Sequence, residues 1–184
     1  MYLYTTWVVG NSHTASTHDL KETVMVNGKT SVGIVIAAGA AGGMAEVLWI
    51  AAAATALGAD GWAVARAVSA TVIPGLASSS LAPWIGLLIH FSLSIALAAV
   101  FARACGRGLG AATLFIAALA ALAAIWVFNF LLLLPSIDPS FVALLPQPVT
   151  LVSKLLFGVA MASVLARQAS WESRAHAFSE KHHA

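Results

Sequence analysis

The chain has 184 residues, 60% of them hydrophobic and only 9% charged, with a formal net charge of +2 and a mean hydropathy of +0.91. Soluble domains carry about 25% charged residues, so a water-facing surface cannot be built from this composition and lipid must cover most of it. The basic pI of about 9.0 comes without any basic cluster or face, which excludes nucleic acid as a partner, and Cys105, the only cysteine, excludes an internal disulfide and a structural zinc site.

Residues 1–30 are polar and lack the basic start and apolar middle of a signal peptide. They read as a flexible cytoplasmic arm. Met25 stands just before the string VNGKTSVG, so translation starts at either Met1 or Met25. Residues 31–168 read as the membrane domain and 169–184 as a cytoplasmic tail.

Four apolar stretches follow the arm, 33–57, 81–102, 109–134 and 144–166, and each reaches the roughly 20 residues needed to cross a bilayer. The expected fold is all-α: a polytopic membrane protein of four transmembrane helices. In the fourth stretch the regular helix should begin at Pro148, where a missing N–H costs nothing. Lys21, Lys29, Arg103, Arg107, Arg167, Arg174 and Lys181 fall at one end of these spans and only Arg66 at the other. The excess of basic residues places both termini in the cytoplasm of a bacterial inner membrane.

The loop over 58–80 contains Val64, Val68, Val72 and Leu76 at every fourth position beside Trp62, which predicts a short helix on the membrane surface, broken at Pro74-Gly75. Trp171, Ala175 and Phe178, flanked by Arg167 and Arg174, predict a similar interfacial face in the tail. Pro83 to Arg103 resembles Pro148 to Arg167, and Trp49 and Asp60 are spaced like Trp126 and Asp138. This spacing suggests two tandem helical hairpins related by an axis along the membrane normal.

An ionisable side chain at bilayer depth costs at least ~2.5–3.5 kcal/mol, so each one calls for a reason. Glu46, His90 and Lys154 lie in three different spans. Counted from the same end they sit at depths that agree within roughly 3 Å at 1.5 Å per residue. Gly39, Gly43 and Glu46 share one helix face, as do Gly86, His90 and Ser94, and Thr150, Lys154, Gly158 and Ala162. These small-residue stripes suit close helix packing and turn the three ionisable groups inward. Asn129, beside Trp126, is a candidate fourth member of the cluster. The cluster reads either as a structural ion pair that selects helix partners or as an ion or proton site.

No cofactor is expected. His90 is the only histidine within a span, too few for bis-imidazole haem ligation, and the adjacent His182 and His183 lie on the tail. Asp60, Arg66 and Asp138, the charged residues of the loops opposite the termini, make no nucleophile–base pair, so an enzyme is not expected.

The strings Gly42-Gly-Met-Ala-Glu-Val-Leu-Trp49, Ile89-His90, Asn129-Phe130, Leu144-Leu-Pro146 and Ser153-Lys-Leu-Leu-Phe-Gly158 resemble a group of uncharacterised small bacterial inner-membrane proteins. The resemblance covers 28–168 and implies the four-helix fold; that group carries no activity to transfer. Small size, the lack of a soluble domain and the Gly/Ala-rich faces point to an accessory or assembly subunit that meets other membrane subunits or further copies of itself. The rival expectation is a small oligomeric transporter or channel for protons or ions using Glu46, His90 and Lys154.

Overall fold

The computed structural model of the protein describes residues 31–76, 78–105 and 109–182, with side chains described as far as Trp171 apart from Ala169. The expected arm over 1–30 and the start at Met25 lie outside the described residues, as do Arg107, His183 and the side chains of Arg174, Ala175, Phe178, Lys181 and His182. The described residues are helical and include no strand.

Four helical segments are long and apolar enough to cross a membrane. Helix α1 (Val32–Ala56) starts at Ser31, whose hydroxyl accepts from the Ile34 N–H at 3.4 Å. A short α2 (Ala63–Val72) and a 3-10 turn (Pro74–Leu76) lead to α3 (Ala82–Cys105). Helix α4 (Ala111–Trp126) runs on through a π-helical segment, Val127–Leu133, into α5 (Leu134–Ile137), and together they form the third crossing. After α6 (Pro139–Val142), α7 (Gln147–His182) crosses over Gln147–Gln168 and extends beyond as one continuous helix. Its first turn holds Pro148, which needs no donor there. Within the crossings Thr55, Ser92 and Ser163 donate to the carbonyl four residues back, so their hydroxyls can face lipid with the proton satisfied.

Packing follows the small residues. The backbone of α3 approaches so near to Gly39 that a Cβ there would fall 2.5 Å from the Ile95 Cα. A Cβ on Gly43 would meet the Ser94 hydroxyl at 2.9 Å, and one on Gly42 would meet the Phe157 ring of α7 at 2.9 Å. Successive glycines of α1 thus face two different helices. Gly158 of α7 lies against Ala118 of α4 more loosely, at 3.4 Å for the same built atom. In a bilayer such close approach supplies the van der Waals contact that the hydrophobic effect supplies in water.

The result is two hairpins, α1 with α3 and α4 with α7, joined along α1 and α7, while α3 and α4 scarcely touch. An exact two-fold would make those two junctions equal, so the hairpins meet asymmetrically. Toward the terminal end the bundle is filled: Ala38, Ala98, Phe101, Leu122, Phe157 and Met161 are among the buried residues of one continuous core. Toward the opposite end α2 packs against α3. Gly86 of α3 meets the backbone of Ala65 so closely that no side chain fits between them, and Ser69 is fully buried. Trp62 and Trp84 also meet as a tilted pair, 5.3 Å between ring centroids and 53° between planes.

Candidate functional site

Glu46 lies one turn beyond Gly42 on the face of α1 that meets α7. Lys154 lies two turns into α7 at the same depth, and its Nζ donates to Glu46 Oε1 at 2.5 Å. The two groups form an ion pair in which Glu46 is only 8% exposed. The Ser153 hydroxyl donates to the Thr150 carbonyl at 2.7 Å and stands 3.4 Å from the same carboxylate oxygen. The second oxygen, Glu46 Oε2, is buried and accepts no hydrogen bond among the described residues.

His90 reaches α1 on the other flank. Its Nε2 lies 3.3 Å from the Gly43 carbonyl. A carbonyl can only accept, so this nitrogen carries the proton. Glu46, His90 and Lys154 therefore converge, with α1 at the centre.

They converge on a cavity of about 600 Å³, bounded by α1, α2, α3, α7 and the π-helical segment. Its walls are mostly apolar, with Val64, Val68 and Val72 of α2 forming one side. The four-residue spacing of those valines is thus a cavity lining. Asn129 faces the same space with its side-chain amide bonded to no protein group among the described residues. Among the described residues Glu46 and Lys154 are the only carboxylate and ammonium on the wall. Below them the filled core begins, so the cavity is closed at the terminal end.

The π-helical segment positions Asn129 and Phe130 and has a local cause. Pro135 has no N–H, and its ring would collide with a carbonyl four residues back in a regular α-helix. Widening the preceding turn removes the collision. The Leu134 N–H donates to the Asn129 carbonyl, five residues back. The altered register buries Phe130 and turns Asn129 toward the cavity. π-turns of this kind are frequent at functional sites. The Leu-Pro pair was the available signal in the sequence.

Two tryptophans fasten the N-terminus of α7. Trp49 Nε1 donates to the Val149 carbonyl at 3.0 Å, and Trp126 Nε1 donates to Thr150 Oγ1 at 3.0 Å. Both residues stand out in the sequence as equivalent positions of a repeat, yet both serve the same helix. Ser153 and Thr150 belong to the site through α7, and only Thr150 falls on the stripe read from the sequence.

At the rim, Asp60 accepts from the Trp62 N–H at 2.8 Å and pairs with Arg66, which holds the start of α2. The Arg66 guanidinium, with that N–H, keeps the Asp60 carboxyl below the usual carboxylate range. Thr71, near the other end of α2, donates to Asp138 Oδ2 at 2.7 Å and ties α2 to the second hairpin. Hydrogen bonds from Ser140, Thr71 and the Phe141 N–H lower the Asp138 carboxyl in the same direction. Among the described residues no group of three or more His, Cys, Asp or Glu is placed to hold a metal ion. No family model matches the sequence, and no curated protein or solved structure matches it either.

Proposed function

We propose that this chain is a small non-enzymatic transporter of the bacterial inner membrane, which admits a solute from the α2 end to a mid-membrane site on Glu46, His90 and Lys154. The observation that carries the reading is a cavity walled on one side by α2 whose lining includes a buried ion pair, with the filled core beyond it. An ion pair deep in a bundle is ordinary as a packing device. One that forms the floor of a cavity, with a buried carboxylate oxygen left over, has the makings of a binding site.

Arg103 and Arg167 at the terminal end, against Arg66 at the α2 end, support cytoplasmic termini and a cavity open to the outside. Two further observations bear on the rival readings. The Ser153 hydroxyl donates to a main-chain carbonyl at 2.7 Å and stands 3.4 Å from the Glu46 carboxylate, beyond the roughly 2.6–3.2 Å of a nucleophile–base pair. The glycine faces that suggest docking to other subunits are occupied within the chain, at Gly39, Gly43, Gly86 and Gly158. Because the terminal half is closed, passage requires that half to rearrange, alone or against a second copy.

Cysteine accessibility tests the reading without knowledge of the solute. In a Cys105→Ser background, Val47→Cys places a thiol on the cavity wall beside Glu46. A membrane-impermeant maleimide should label it rapidly in right-side-out vesicles and slowly, but measurably, in inside-out vesicles. Labelling from the α2 side alone defines a dead-end pocket and overturns transport in favour of a binding subunit. Absence of labelling from both sides means that the site is not reached by water at all.

A further inference from the structure

The geometry points to a net-neutral amphiphile as the occupant of the cavity, its head offering a hydrogen-bond donor to the Glu46 carboxylate and an acceptor to Lys154. This inference rests on the proposed site and names the chemical class that the site selects. Three observations carry it.

The first is charge. One carboxylate and one ammonium form the floor, and they neutralise each other at contact distance. A cationic solute would find its counter-ion already occupied by Lys154, and an anionic solute would find its own occupied by Glu46. Either would enter a poorly hydrated space without compensation, which burial of an unpaired charge makes costly. A neutral head meets no such obstacle.

The second is unmet hydrogen-bonding capacity. Glu46 lines the cavity at 8% exposure, and its Oε2 is buried without a donor. Lys154 has three N–H groups and gives one to Glu46 Oε1. The Asn129 amide, which can both donate and accept, faces the same space. The hydroxyls of Thr150 and Ser153 are already committed to main-chain carbonyls. What remains is one strong acceptor and strong donors side by side, the complement of an amide, an alcohol or another head that carries both functions.

The third is the wall. About 600 Å³ enclosed mostly by Val, Leu, Ile and Phe side chains suits an apolar body, within the range of about 300–1,000 Å³ usual for small-molecule pockets. Leu93 lines the cavity at bilayer depth and is 65% exposed. A molecule dissolved in the bilayer can enter sideways, head first toward the ion pair.

The test uses the Val47→Cys, Cys105→Ser protein in native membrane vesicles, and reads the rate of maleimide labelling in the presence of probes with one decyl-length tail. Decanamide should slow labelling several-fold. N,N-dimethyldecanamide, which accepts but cannot donate, should slow it less, and decyltrimethylammonium and decanesulfonate should leave it unchanged. With Glu46→Gln and Lys154→Met combined, the distinction between the two amides should shrink. Stronger protection by the cation would overturn the inference and make Glu46 alone the anchor. Rapid labelling that none of the probes slows also overturns it, while the accessible site proposed above stands. A cysteine that reacts from neither side removes that site and the inference with it.

Discussion

Breaking the Glu46–Lys154 pair one residue at a time separates a structural bond from a mere proximity. Lys154→Met keeps the unbranched stem, one atom shorter, and removes the charge. It leaves the Glu46 carboxylate, 8% exposed, with only the Ser153 hydroxyl at 3.4 Å for company. Removing one partner of a buried pair costs ~3–5 kcal/mol, because the other charge stays uncompensated. For a chain of this size each kcal/mol corresponds to roughly 2–4 °C in the thermal midpoint, so a fall of about 6–20 °C is expected. Glu46→Gln should be milder, since the amide oxygen still accepts from Lys154 and the ammonium on its longer stem is less enclosed, at 17% side-chain exposure against 10% for Glu46. The double variant should recover most of the loss, because a neutral pair of similar volume leaves no orphan charge. The assay is the thermal midpoint in mild detergent, followed by the monodisperse peak on size exclusion, for all four corners of the cycle. If both single variants stay within a few degrees of the wild type and their effects add in the double, the pair is not coupled and the reasoning fails.

The glycines divide by what a methyl group would meet. Gly86→Ala drives its Cβ into the Ala65 backbone, which cannot rotate away, and should cost ~1–3 kcal/mol by overpacking while displacing α2. Gly158→Ala enters ordinary contact distance at Ala118 and gains helix propensity of up to ~1 kcal/mol, so it should be neutral or stabilising. Equal thermal midpoints for the two variants would contradict this ordering. The latch between Thr71 and Asp138 should respond to acid. The folded-state pKa of Asp138 lies below its ordinary value, so its contribution is fully present above the unfolded value of about 3.9 and is lost as the pH falls through the lower folded value. Labelling of Thr55→Cys at the cavity mouth should therefore be flat from pH 7 to about 5 after correction for thiol ionisation. Protease sensitivity of the α2 segment should rise only below about pH 4, and Asp138→Asn should show that sensitivity already at neutral pH.

The membrane character and the four crossings are local properties of the sequence. Each apolar run is long enough by itself to satisfy its backbone internally and to cover itself with lipid, whatever its neighbours do. Convergence of Glu46, His90 and Lys154 was legible too, because burying such groups in lipid is costly and equal depth brings them to one level. The glycine stripes marked the tight contacts, but not their partners. Nothing in the run Gly39 to Gly43 shows that Gly39 and Gly43 face α3 while Gly42 faces α7. That assignment depends on the azimuth of neighbouring helices, which no single-helix periodicity contains. The same limit explains α2. Its valine spacing describes an apolar stripe, which would look the same whether it met lipid, a core or a cavity. Only Gly86 against Ala65 decides for the cavity.

The sequence by itself therefore determined an all-α membrane protein and the depth of its few ionisable groups, because hydropathy and helical rise act along one chain segment at a time. The tertiary structure alone decided that the ion pair is the floor of a cavity. That outcome requires two hairpins joined along α1 and α7 and parted at α3 and α4, with a π-turn before Pro135 directing Asn129 inward. Empty volume is a relation among helices, and no residue encodes it alone.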